Sequence, residues 1–195
     1  MVNELVREIN MCLDNGCYMA GLSLALTLPD ICGKAIYPEL KGSKNCKTRY
    51  VKWFDENIGK YEQTDFDVKM GIPYMDGELI YSLRCSVLHE GNPNVNCKNL
   101  GIDYFELFYR EFEGACVYGG YASSKEGKDK EGNEIIKNKK ISINIKDLCY
   151  KLCITAEHCY NNNKEKFNFF NYNLVDMDFN KRKLFGVEKR NINER

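Results

Sequence analysis

Arg84 and His89, in the segment SLRCSVLHEG, are the pairing in this chain best suited to hold a phosphate and move a proton. An arginine guanidinium is a fixed cation whose forked donors match phosphate oxygens. An imidazole gains and loses a proton near neutral pH. Phosphoryl chemistry asks for both, because a proton must move while negative charge builds on the phosphate. The chain has only two histidines, and the other, His158, sits between Glu157 and Cys159 with no partner within helical reach that suggests catalysis. It reads as a surface or packing residue.

Five steps along an ideal helix leave Arg84 and His89 about 140° apart, so they do not stack as an i, i+4 pair would. The helix that carries them is stopped by Gly91 and Pro93. If its terminal turn unwinds, the long arginine and the histidine could still meet in one cleft. Free carbonyls at a helix C-terminus favour positive charge there. The plainer alternative pairs Arg84 with Glu78, Glu90 or a neighbouring helix and leaves His89 to cap the terminus.

The elements that must position this pair follow from spacing. Leu5, Val6, Ile9, Cys12 and Leu13 form a helical stripe after a candidate cap at Asn3, and Asn15-Gly16 ends it. Cys17 to Leu28 is apolar nearly all round and predicts a central helix, with Pro29 expected to kink or break it before a short turn through Asp30, Ile31 and Cys32. Thr48 is a candidate cap for a helix with Tyr50, Val51, Trp53, Phe54 and Ile58. The connection through Gly71, Pro73 and Gly77 leads to a helix from about Glu78 to Glu90, opened by Asp76 or a neighbour, with Leu79, Ile80, Leu83, Val87 and Leu88 on its buried stripe.

Period-two alternation at Ile141, Ile143 and Ile145, matched by Phe105, Leu107 and Tyr109, predicts a small antiparallel hairpin. Residues 125 to 134 contain no apolar side chain and read as its exposed tip. Asn144, three before Asp147, resembles a capping box for a last helix carrying Leu148, Cys149, Leu152, Cys153, Ala156 and Tyr160, expected to end at Asn161 to Asn163. Residues 167 to 179 are rich in asparagine and aromatics and are expected to dock on the helices. Residues 181 to 195 hold six basic against two acidic side chains, a balance of +4.

At 195 residues the chain fits one core, and 28 basic against 28 acidic residues argue against a globally basic nucleic-acid binder while leaving room for a local basic cleft. The first ten residues lack the order of a secretion signal, and no long uncharged apolar run stands out, so a cytoplasmic protein without a membrane anchor is expected. The ten cysteines include no CxxC pair and read as small packing residues, with a redox or metal role as the alternative. No glycine-rich phosphate loop, HExxH or GxSxG is present, and no cofactor or metal is expected.

Arg84, four residues and His89 match the R-x4-6-H signature of the HEPN (higher eukaryotes and prokaryotes nucleotide-binding) superfamily. ALTLPDICGKAIYPE, RYVKWFDENI and GELIYSLRCSVLHEGN resemble small bacterial HEPN-like proteins over roughly residues 15 to 95. The resemblance implies a mainly α, HEPN-like helical bundle over residues 1–179. A β-hairpin insertion at about 101–145 would precede the last helix, and a basic tail would occupy 180–195. It further implies a homodimer that cleaves RNA without metal, in a toxin or phage-defence setting with an antitoxin as possible partner. His89 would handle the proton of the attacking 2′-hydroxyl or of the leaving oxygen, and Arg84 would orient the phosphate. Tyr81, Ser82, Glu90 and Asn92 would line the cleft. Active members often carry Asn, Asp or His directly after the arginine, where this chain has Cys85. The alternative is therefore a catalytically inactive HEPN-like domain that binds nucleotide or RNA, or only dimerises.

Overall fold

The computed structural model describes residues 1–62, 75–94, 102–109, 119–128 and 134–172, with the backbone alone for 119–128 and 134–139. The expectations for residues 71–74, for the hairpin tip at 129–133 and for the tail beyond 172 lie outside the described residues. What is described is mainly helical.

Helix α1, Val2–Asp14, buries Val2, Val6 and Ile9 along one stripe. It starts earlier than expected: Met1 stands at the cap position and Asn3 lies inside the helix. Its end is as expected, with Gly16 in the left-handed region at φ +75. The uniformly apolar segment that follows is not broken by its proline. Helix α2, Tyr18–Ala25, ends before Leu26 and Thr27, and α3, Leu28–Ile36, carries Pro29 in its first turn. A first-turn proline gives up no intrahelical hydrogen bond and brings a helical φ with it, so Pro29 opens a nine-residue helix. Thr27 makes the junction. Its hydroxyl donates to the Leu24 carbonyl at 2.7 Å, and its own carbonyl accepts from Ile31 N at 3.2 Å. The span Tyr18–Ile36 is long and apolar enough to cross a membrane by length and composition, but half of it is buried within the fold, as a core helix would be.

Helix α4, Cys46–Asn57, begins two residues before the expected cap Thr48 and is preceded by a short 3-10 turn, Ser43–Asn45. It carries Tyr50, Trp53 and Phe54 into the core with none of the three exposed. Helix α5, Gly77–Cys85, is capped by Asp76, whose carboxylate accepts from Leu79 N at 2.8 Å. Two glycines allow the helices to cross closely. A Cβ on Gly33 would lie 2.8 Å from the Arg49 carbonyl oxygen, and one on Gly77 would lie 2.6 Å from that of Val51. Both contacts are shorter than side chains tolerate, so α3 meets α4, and α4 meets α5, backbone against backbone.

The sheet differs from the expected hairpin. Strand β3, Glu134–Asn144, pairs antiparallel with β2, Gly119–Lys128, and parallel with β1, Tyr104–Phe108. Phe105 lies opposite Ile141 and Leu107 opposite Ile143, so the two alternating segments are neighbouring strands, but parallel and not the antiparallel arms of a hairpin. Lys140 and Ser142 both donate to the Glu106 carboxylate across this pairing, at 2.7 and 2.6 Å. Ile145 belongs to the last helix, α6 (Ile145–Asn161), and not to the strand. Asn144 caps it by accepting from Lys146 N at 3.0 Å and Asp147 N at 3.4 Å, and the helix stops at Asn161 as expected. Helix α6 packs against α1, α2 and α3, and Phe167 in the turn after it is buried edge-on against Tyr160.

Candidate functional site

Arg84 is the penultimate residue of α5, and the next turn, Ser86–Glu90, is π-helical. Its closing hydrogen bond runs from Gly91 N to the Ser86 carbonyl at 2.8 Å, five residues back, and Gly91 leaves the helix at φ +62. In an α-helix neighbouring turns bring i and i+4 together, whereas a π turn brings i and i+5 together. The wider turn removes the phase difference expected of an ideal helix. Arg84 Nη1 lies 3.2 Å from His89 Nε2. A guanidinium can only donate, so this contact requires His89 Nε2 to present its lone pair and leaves Nδ1 to carry the ring hydrogen. The imidazole is exposed, and the arginine side chain is 19% exposed.

A carboxylate that the spacing arguments overlooked completes the cluster. Asp30, in the first turn of α3, accepts from Arg84 Nε at 2.7 Å, across 54 residues of sequence. Burial raises the Asp30 carboxyl above its ordinary value, and attraction to Arg84, Arg49 and His89 offsets only part of that. For Arg84, burial works against the charge, but the attraction and hydrogen bond of Asp30 outweigh it and hold the guanidinium above its ordinary range. Arg84 Cζ also lies 5.9 Å from the ring centre of Tyr50 and 5.6 Å from that of Tyr81, which meet edge to face. Burial, then the field of Asp30, pushes the Tyr50 hydroxyl well up, and its oxygen has no hydrogen-bond partner among the described residues. One signal in the sequence pointed to Asp30: it is the only charged residue between Asp14 and Lys34.

Of the other expected site residues, Tyr81 stands against Arg84, and Glu90 is exposed directly after His89. Ser82 is two residues from Arg84 and so faces another side of α5. Asn92 is turned away as well. Its carbonyl accepts from the Ser86 hydroxyl, its side chain accepts from Asn94 N at 2.7 Å, and it lines a separate small cavity with Met19, Val87 and Phe105. His158 contacts Asn162, the residue just past the end of its own helix, far in sequence from this cluster. Eight cysteines are described, all free, and Cys32, Cys149, Cys153 and Cys159 are buried. Among the described residues no three His, Cys, Asp or Glu side chains converge as metal ligands.

Asp30 and Arg84 form one edge of a cleft of about 840 Å³ that continues past the 37–43 connection to Lys166 and Phe169. The cluster therefore offers a fixed cation, an imidazole in contact with it and access to a cavity of ligand size. Compared with protein-family models, curated proteins and solved structures, the chain has no match.

Proposed function

We propose that the protein is a metal-independent endoribonuclease of HEPN type, working as a homodimer through Arg84 and His89. The observation that carries this reading is the 3.2 Å contact between Arg84 Nη1 and His89 Nε2 at an exposed helix end. In the reaction, Arg84 Nη1 turns from His89 to the phosphate, and the ribose 2′-oxygen attacks the adjacent phosphorus as it loses its proton to the His89 Nε2 lone pair so freed. The bond from phosphorus to the 5′-oxygen breaks, and that oxygen takes a proton from the imidazole of a second copy. Arg84 neutralises charge on the non-bridging oxygens. Two copies resolve how a single histidine per chain can act as both base and acid.

A second reading, a catalytically inactive domain that binds RNA or nucleotide, is favoured by one specific contact: Asp30 already neutralises Arg84 at 2.7 Å. Cys85, beside the arginine, adds no strong polar group to the cluster. The two readings separate on one experiment. Purified protein, Arg84→Ala and His89→Ala are incubated with labelled single-stranded RNA in EDTA. The proposal expects cleavage by the unaltered protein and a loss of about a hundredfold or more in each variant, the scale of one acid-base or charge-stabilising group. Cleavage undiminished in both variants, or none by the unaltered protein, overturns it. Light scattering is expected to show twice the 22.6 kDa chain mass.

A further inference from the structure

The cleft that begins at Arg84 has a charge balance unlike that of the chain. Its lining includes the cations Lys34, Lys41, Arg49, Arg84 and Lys166 and one acid, Asp30, whereas the whole chain is balanced at 28 of each sign. Asp30 is taken up by Arg84. Lys34, Lys41 and Lys166 are exposed where they line the cleft and form no ion pair among the described residues, so no bonded carboxylate offsets their charge there. Arg49 holds the wall in place. Its guanidinium donates to the carbonyls of Leu40 and of Gly42, the latter at 3.2 Å, which fixes the loop without neutralising the charge.

The rest of the lining is mostly apolar, with hydroxyls only at Tyr37 and Ser43. Pro38, Leu40 and Phe169 face the cavity, and Lys34 Nζ lies 4.2 Å from the Phe169 ring centre. Cations beside an aromatic and aliphatic wall suit a ligand that joins an anion to a flat apolar ring. About 840 Å³ falls within the ~300–1,000 Å³ range of small-ligand sites. We propose that this cleft seats one unstacked nucleotide of the RNA chain next to the phosphate at Arg84, with its phosphate on Lys34, Lys41 and Lys166 and its base against Pro38, Leu40 and Phe169. The inference rests on the reading of Arg84 and His89 as an RNA-cleaving pair, and it adds a seat for one nucleotide beside that pair. A base held in a duplex cannot enter a cleft, so the seat takes an unpaired nucleotide.

The test uses the full chain carrying His89→Ala, so that bound RNA stays intact, and measures binding of adenosine monophosphate, inorganic phosphate, a single-stranded RNA hexamer and the same hexamer as a duplex. The mononucleotide is expected to bind more tightly than phosphate, and the single strand about tenfold more tightly than the duplex. Lys34→Ala with Lys166→Ala is expected to weaken mononucleotide and single strand about tenfold. Phe169→Ala is expected to weaken the mononucleotide while leaving phosphate unchanged. Because all three side chains are exposed, urea midpoints should stay in place and exclude unfolding as the cause. Equal binding of phosphate and mononucleotide, no binding of either, or binding indifferent to all three substitutions overturns the proposal. If the unaltered protein does not cleave RNA yet the mononucleotide binds and responds to Lys34 and Phe169, the cleavage reading falls and the nucleotide cleft stands. If RNA is cleaved while those substitutions change neither binding nor KM, the cleft assignment falls alone.

Discussion

Replacing Arg84 by methionine keeps most of the side chain's stem while removing its charge, and it leaves Asp30 in a half-buried position without its cation. The cost can be bracketed. An exposed ion pair contributes about 0.2–1 kcal/mol, and breaking a fully buried one costs about 3–5 kcal/mol. With side-chain exposures of 19% for Arg84 and 26% for Asp30, the loss should be about 2 kcal/mol at pH 7. It should also depend on pH in a defined direction. Burial already raises Asp30 above its ordinary 3.8, and losing Arg84 removes the largest opposing influence, so the folded carboxyl rises further. The fold then binds a proton that the unfolded chain releases. Stability is fully present below about pH 3.8 and is lost as pH rises through the higher folded value. Urea denaturation of Arg84→Met at pH 4 and pH 7 should show the larger loss at pH 7. Adding Asp30→Asn should recover most of it, because the stranded charge is gone, and Asp30→Asn alone should cost less than Arg84→Met. An equal loss at both pH values with no rescue by Asp30→Asn would show that Asp30 and Arg84 do not form this pair.

Gly77→Ala should destabilise by about 1–3 kcal/mol in urea, because its Cβ would meet Val51 backbone atoms at 2.6–2.7 Å. Asn144→Ala should cost about 1 kcal/mol by removing the acceptor for Lys146 N and Asp147 N, measured as a shift of Tm. Burial pushes the Cys149 thiol up to about 12, and burial followed by the Glu157 charge does the same for Cys153. Both should therefore resist iodoacetamide at pH 8 in the folded protein and react once it is unfolded, as read by mass spectrometry.

Many features set by neighbouring residues were legible in the sequence, although the expected caps Asn3 and Thr48 lie inside helices that begin at Val2 and Cys46. Asp76 and Asn144 cap the helices expected of them, Gly16 and Gly91 take left-handed conformations at helix ends, and the apolar stripe of α5 is buried at Leu79, Ile80 and Leu83. Features set by distant residues were not. Alternation at Phe105 and Ile143 marks strands but carries no sign for parallel or antiparallel pairing, and the intervening β2 takes the antiparallel edge. One local feature is also hidden: Thr27 ends the previous helix and leaves Pro29 in a first turn, where a proline opens a helix and does not break one. At the site, an ideal 100° step separates Arg84 from His89. No residue type marks the π turn that reunites them, and Asp30 reaches Arg84 from 54 residues away.

The central claim is that Arg84 and His89 act on RNA through the ribose 2′-hydroxyl, and the chemistry of the cut ends tests it most directly. Mass spectrometry of products made in EDTA should show a 2′,3′-cyclic phosphate on one fragment and a 5′-hydroxyl on the other, and a single 2′-deoxy sugar at the cut position should abolish cleavage there. A 5′-phosphate product, or undiminished cutting at the deoxy position, would contradict the account.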